Sequence, residues 1–280
     1  MGSTVALVNQ KGGVGKTTVT LGLASAAWAA DEQVLVVDLD PLGAATWHLG
    51  GDPATTTTSV AELLADSRPG AAARAIVPSA WGPQVHLLPA ASHLASYDGV
   101  DPTDAELDQL ATVLDGLADH YDAILLDCGP HLGALTMGAL TAADGALVVV
   151  DPSEFGLRGI APAVDLVATV AGSSNPRLEM GGIVVNKMTA HHTENERQYG
   201  RADELAGWVP VWRPAIPERI VVYRAAAERR PVHAYGPKAT DVTDAFDHLW
   251  LRTRRLLRRS LPVSRLDEPD LAPATAELTA

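Results

Sequence analysis

The stretch "ALVNQKGGVGKTTVTLGLASAAWAA" (residues 6–30) constrains the fold more than any other part of the chain. Before the glycines, "TVALVN" is a short apolar run rich in β-branched residues, the pattern of a buried strand. After them, from Thr17 to about Ala30, alanines and leucines recur with helical rather than alternating spacing. A strand, a glycine turn and a helix in succession give "GGVGKTT" the context of a phosphate-binding loop. Gly12, Gly13, Val14 and Gly15 let backbone N–H groups converge on phosphate at a helix N-terminus. Lys16 then supplies a point charge for the β- and γ-phosphates, Thr17 a hydroxyl ligand for Mg²⁺, and Thr18 a donor to the α-phosphate. ATP and Mg²⁺ are the expected cofactors.

Four further apolar runs read as buried strands: 33–40, 121–130, 145–152 and 180–187. Helical patterns at 60–66, 104–119, 133–142 and 157–171 separate them. Continuous apolar strands alternating with helices predict an α/β fold, a doubly wound, mostly parallel sheet with helices on both faces, as in P-loop NTPases. Ligands of such sheets bind at the carboxyl ends of strands, and three acids fall there. Asp127 ends "AILLD" and is expected to hold Mg²⁺ through water. Asp38 is expected to orient the metal's water shell, and Asp40, farther along the same turn, to position and polarise the attacking water.

Beyond residue 190 the pattern loosens. "MTAHHTENERQYGRADELAGW" reads as a loop leading into a helix, and "VPVWRPAIPERIV" as a short strand followed by a proline-punctuated loop. A terminal helix is expected over about 240–260, with Val242, Phe246, Leu249 and Trp250 on its inward stripe. The division expected is one domain over 1–260 and a disordered acidic tail over 261–280.

At 280 residues and 47% hydrophobic content, the chain can bury one large core. It has no apolar run long enough to span a bilayer and no basic-then-apolar leader, which predicts a cytoplasmic protein. Its single cysteine, Cys128, rules out an internal disulfide or a cysteine-built metal centre within one chain. The net charge of −13 is uneven: residues 1–190 hold 7 Lys and Arg against 21 acids, and residues 191–280 hold 14 against 13. Arginines near the end, including six in "RTRRLLRRSLPVSR" (252–265), form either a polyanion-binding face or a solvated outer helix surface.

These pieces together resemble the ParA/Soj branch of the ParA–MinD family of deviant-Walker ATPases. The matching stretches are "NQKGGVGKTTVTLGLA", "VLVVDLDPLGAAT", "YDAILLDCGPHLGALTMGALTAADGALVVVDPSEFGLRGI" and, more weakly, "AIPERIVVYRAAAERRPVHAYGP". The resemblance implies an ATP-sandwiched homodimer in which Lys11, the first lysine of the loop, reaches the partner's nucleotide. It also implies slow Mg-dependent hydrolysis, nonspecific DNA binding on the nucleoid and a ParB-like activator. Asn186 is similar to the asparagine that reads adenine on the MinD side of the family, and Pro217 to the residue that walls the base. The DNA-contacting candidates are Arg219, Arg224, Arg229, Arg230, Arg252, Arg254, Arg255, Arg258 and Arg259. The chain departs from the family at Leu42 and Ala44, polar in the usual acidic turn, at Gly129 and His131, and at Glu218, where arginine is usual. His131 reads as a surface loop residue. DNA partitioning is one use of such an engine; positioning of non-DNA cargo is another. Membrane docking in the MinD manner is disfavoured, because Pro262 and an acidic tail interrupt the basic terminal segment. Iron–sulfur relatives need cysteines that the chain lacks.

Overall fold

The run ahead of the glycine loop, Ser3–Val8, forms β1, and it sits inside the sheet rather than at an edge. In this computed structural model, which describes residues 3–99, 102–189 and 192–259, α1 (Lys16–Ala29), β2 (Val34–Leu39), α2 (Ala44–His48) and α3 (Val60–Asp66) follow. Next come β3 (Val77–Ser79), β4 (Gly82–Leu88), α4 (Asp104–Leu114), β5 (Ala123–Cys128), α5 (Ala134–Ala142) and β6 (Gly145–Val150). The chain continues through α6 (Glu154–Leu157), α7 (Ile160–Ala171), β7 (Glu179–Val185), α8 (His192–Ala206), β8 (Val211–Trp212), α9 (Ile220–Ala227) and α10 (Thr240–Arg259).

The sheet order is β3-β4-β2-β5-β1-β6-β7-β8, parallel throughout except for β3 against β4. Every residue of β2, β5 and β6 is buried, as strands covered on both faces must be. Helices α3, α4, α5, α7 and α8 pack on one face with Ala6, Val8, Leu35 and Val37. Helices α1, α2, α9 and α10 cover the other with Val5, Leu7, Val34 and Val36. Val242, Phe246, Leu249 and Trp250 are all buried on that second face, as the stripe predicts. α10 packs against α1 so closely that a Cβ on Gly22 would overlap the Phe246 ring.

The architecture is the one expected, with local corrections. β3 and β4 were not among the five anticipated strands: β4 opens on Gly-Pro, which reads as a turn, although buried Val85 and Leu87 alternate with Gln84 and His86. Helix α4 is shorter than 104–119, because the chain turns at Gly116 with φ +78°. The helix expected over 157–171 is split into α6 and α7 around Gly159, where a side chain would overlap Asn9. Most of "MTAHHTENERQYGRADELAGW" is α8. The proline-punctuated loop after β8 gives way to α9, whose β-branched start "IVV" favours a strand by propensity alone. Packing of Val221 and Val222 on the α1 side overrides it. The expected tail, 261–280, lies outside the described residues.

Candidate phosphate-binding site

The loop between β1 and α1 is fixed by backbone conformations open to glycine. Gly13 (φ +81°) and Gly15 (φ +93°) are left-handed, and Gly15 is the N-cap of α1. A Cβ on Gly15 would overlap Asn186 Nδ2, whereas Gly13 has open space on that side. Asn186 follows β7, is buried, and donates from Nδ2 to the Val14 carbonyl at 2.9 Å. Its Oδ1 is thereby left for another donor. The adjacent Lys187, itself left-handed at φ +57°, donates from Nζ to the Gly13 carbonyl at 2.6 Å. From the other flank, Asn9 donates to the Val149 carbonyl at 2.7 Å and accepts the Lys11 N–H at 2.8 Å.

Inside this frame Lys16 is 7% exposed and donates to the carbonyls of Asn9 (3.0 Å) and Lys11 (3.4 Å). Burial lowers its pKa, and the nearby Asp127 carboxylate works in the opposite direction. Asp38 and Asp127 stand opposite each other in the β2–β5 register, both fully buried. Thr17 Oγ1 donates to Asp127 Oδ2 at 2.7 Å, and Thr20 Oγ1 to Asp127 Oδ1 at 2.9 Å. Asp38 Oδ2 accepts from both N and Oγ1 of Thr46 at 2.7 Å, and Oδ1 from the Asp40 N–H at 3.1 Å. Burial pushes both carboxyls up, and Asp127 repels Asp38 further. Asp40 is half-buried on the turn beyond, where it accepts the Leu42 N–H at 2.9 Å. It lines an open cleft of about 690 Å³ with Gln10, Asp98 and the exposed His131.

One hydroxyl and two carboxylates at the loop are hard oxygen groups, suited to a magnesium ion that the hydroxyl would touch directly and the carboxylates through its waters. Among the described residues no group of three His, Cys, Asp or Glu side chains could hold a metal unaided. The two lysines of the loop diverge. Lys16 is enclosed, whereas Lys11 reaches outward to Asp151 Oδ2 and Ser153 Oγ, both at 3.0 Å. A shallow pocket beside the loop is lined by Thr18, Asn186, Lys187, Pro217, Glu218 and Tyr223, among others. Sequence reasoning missed Asn9, Thr20, Asp151 and Lys187. Their only signal is position, immediately after β1 or β6, one helical turn past Lys16, or next to Asn186.

The nine arginines do not form one free patch. Arg219 pairs with Asp241 at 2.6 Å, and Arg224 (2.7 Å) and Arg230 (3.8 Å) share Glu228. Arg229 lies over the Trp47 ring, 3.9 Å from its centroid, and Arg252 over Trp212. Arg254 pairs with Glu32, with Asp122 at 3.9 Å. Arg255 is exposed on α10. Arg258 and Arg259 close the same helix, and their side chains lie outside the described residues.

Residues 2–180 match the model of a family described as an AAA domain. The chain is 30% identical over 246 residues to the sporulation initiation inhibitor protein Soj of Bacillus subtilis, covering 85% of this chain and 93% of Soj. The chain belongs to the ParA–MinD family of P-loop ATPases. A solved ParA–MinD member, the cell division ATPase MinD of Pyrococcus furiosus, aligns with a TM-score of 0.72 at 27% identity, over 91% of this chain and 100% of that one. A Mycobacterium smegmatis structure described as cobyrinic acid a,c-diamide synthase with bound ADP and magnesium aligns with a TM-score of 0.78 at 26% identity. It covers 98% of this chain and 100% of that one.

Proposed function

We propose that this ParA-like ATPase binds ATP with Mg²⁺, closes into a nucleotide-sandwiched homodimer, binds DNA without sequence preference, and drives DNA partitioning with a ParB-like activator. The observation that carries the reading is the divergence of the loop lysines. Lys16 is enclosed under the loop, while Lys11 points out of it toward Asp151, where a second subunit can take it up. Four large apolar side chains on segments around the cleft and base pocket are exposed, Leu42 at 81%, Phe155 at 73%, Ile220 at 84% and Tyr223 at 55%. Such exposure supports burial against another copy.

In the cycle, Lys16 and the backbone N–H groups of Gly12–Thr18 hold the triphosphate, and Thr18 donates to the α-phosphate. Thr17, with Asp38 and Asp127 behind it, would hold magnesium, which would supply neutralising charge at the phosphates. Asn186 reads the adenine amine with the Oδ1 left free by its bond to Val14, and Pro217 walls the ring. Asp40 positions and polarises the attacking water, and Lys11 of each subunit balances charge developing on the other's nucleotide. A cytoplasmic, nucleoid-associated protein is the corresponding cellular reading; among the described residues no helix is long and apolar enough to cross a membrane.

The test is gel filtration of Asp40→Ala with ATP. A dimer that Lys11→Ala abolishes, with Lys16→Ala failing to bind nucleotide, is the expected result. A monomer under all conditions refutes the sandwich. A mobility shift of unrelated duplex DNA, with ATP or ADP at two salt concentrations, tests the partner. Liposome binding without an ATP-dependent shift would replace DNA by membrane.

A further inference from the structure

Helix α9 is touched at both ends by parts of the nucleotide site. Val222 and Tyr223, near its start, share the shallow base pocket with Thr18 and Pro217. Its far end is gripped by α2, which hangs directly on Asp38 through the two Thr46 bonds. The grip has three points. His48 Nδ1 donates to the Ala226 carbonyl at 3.0 Å, a last-turn acceptor of α9, which fixes the proton on that ring nitrogen. The Arg229 guanidinium stacks on Trp47 at 3.9 Å. Trp81 Nε1 donates to the Arg229 carbonyl at 3.0 Å, and the Trp81 turn is tied to the end of α2 by the Ala80 N–H on the Leu49 carbonyl.

Two further observations mark this junction as a movable one. Arg229 is held at φ +52°, an uncommon conformation for a residue with a side chain, so the grip holds a strained backbone in place. Behind the junction lies a cavity of about 120 Å³ lined by Thr17, Thr18, Ala44, His48, Val222 and Ala226 among others. It lies between α1, α2 and α9, where well-packed interiors leave little room for displacement.

We propose that Trp47 and His48 are positioning residues that carry the state of the Asp38–Asp40 turn to α9, releasing or retaining Arg229 for a phosphodiester backbone. With α2 as it stands, Arg229 is occupied by the indole face and is withheld from a polyanion. A shift of α2 on the γ-phosphate side moves the indole, and the cavity accommodates the movement. The inference rests on the proposed ATP binding and adds to it a route between two surfaces.

The test is hydrogen exchange on the full chain with ATP–Mg²⁺ and with ADP, read at the amides within residues 226–232 other than Pro231, which has none. In the wild-type protein, exchange there is expected to differ between the two nucleotides. The double variant Trp47→Leu/His48→Phe is expected to reduce that difference at least about fivefold, the scale of an ordinary coupling between sites. Trp47→Phe, which keeps an aromatic face, is expected to restore it. A merely structural role would change protection equally in both states. Should the double variant fail to fold, Arg229→Met cuts the stack from the α9 side with the same expected loss. ATP binding with identical exchange at 226–232 in both states overturns the coupling alone. Absence of ATP binding overturns the proposed function and the coupling with it.

Discussion

Gly15→Ala is the sharpest probe of how the loop is held. The native φ of +93° lies in the left-handed region, which costs a side-chain-bearing residue about 1–2 kcal/mol. The new methyl would also overlap Asn186 Nδ2, so the 2.9 Å bond to the Val14 carbonyl must open. Both partners are buried, and leaving such groups unpaired costs about 1–3 kcal/mol. The sum is about 2–5 kcal/mol in the nucleotide-free protein, or roughly 5–15 °C in Tm for a chain of this size. Thermal and urea unfolding without nucleotide measure it. The partner variant Asn186→Ala loses the same bond but makes room for the methyl. The double variant should therefore be more stable than the two single losses added, by about 1 kcal/mol or more. A Gly15→Ala protein within about 0.5 kcal/mol of wild type would refute the reasoning, as would strict additivity.

Three further outcomes are expected. Burial holds the Asp38 and Asp127 carboxyls above their ordinary value, aided by repulsion from Asp127 on Asp38 and from Asp40 on Asp127, so the folded protein binds protons that the unfolded chain releases. Their contribution to nucleotide-free stability therefore falls as pH rises from the ordinary carboxylate range toward neutrality. Asp38→Asn should flatten this slope, measured by urea unfolding between about pH 5 and pH 8; a slope equal to wild type would count against it. His48 and His233, held below their ordinary value mainly by burial, act in the opposite sense, losing stability as pH falls, and remain in both proteins. Gly22→Ala, which drives a methyl into the Phe246 ring, should cost about 1–3 kcal/mol, with Phe246→Leu relieving part of it. Under the DNA reading, Arg255→Ala should reduce the salt slope of binding by about one, and Arg254→Ala by less, because Arg254 is already engaged by Glu32. Equal slopes would place the two arginines in the same role.

The parts legible in the sequence are those that depend on local pattern. The strand–loop–helix around Lys16, the acids closing β2 and β5, and the inward stripe of α10 could all be read from spacing. Asn186 was legible as a residue of interest, but its bond to Val14 joins positions 172 residues apart and has no sequence signature. The same holds for Lys187 on Gly13 and Asp151 on Lys11. The ion pairs of the arginines have no sequence signature either, because their partners, Glu32, Asp122, Glu228 and Asp241, lie on several segments. β4 and α9 were missed where local chemistry, Gly-Pro in one and a β-branched start in the other, opposes the conformation that packing imposes.

The close fit of Phe246 against Gly22 has a consequence for the order in which the molecule comes into being. β1 lies between β5 and β6, so the strand that leads into the loop gains both neighbours only after residue 150 exists. Helix α1 acquires its outer cover only when α10, near the end of the described chain, arrives. The phosphate loop thus precedes in the chain both the strands that flank β1 and the helix that covers α1. A chain halted before residue 240 should leave the apolar face of α1 exposed.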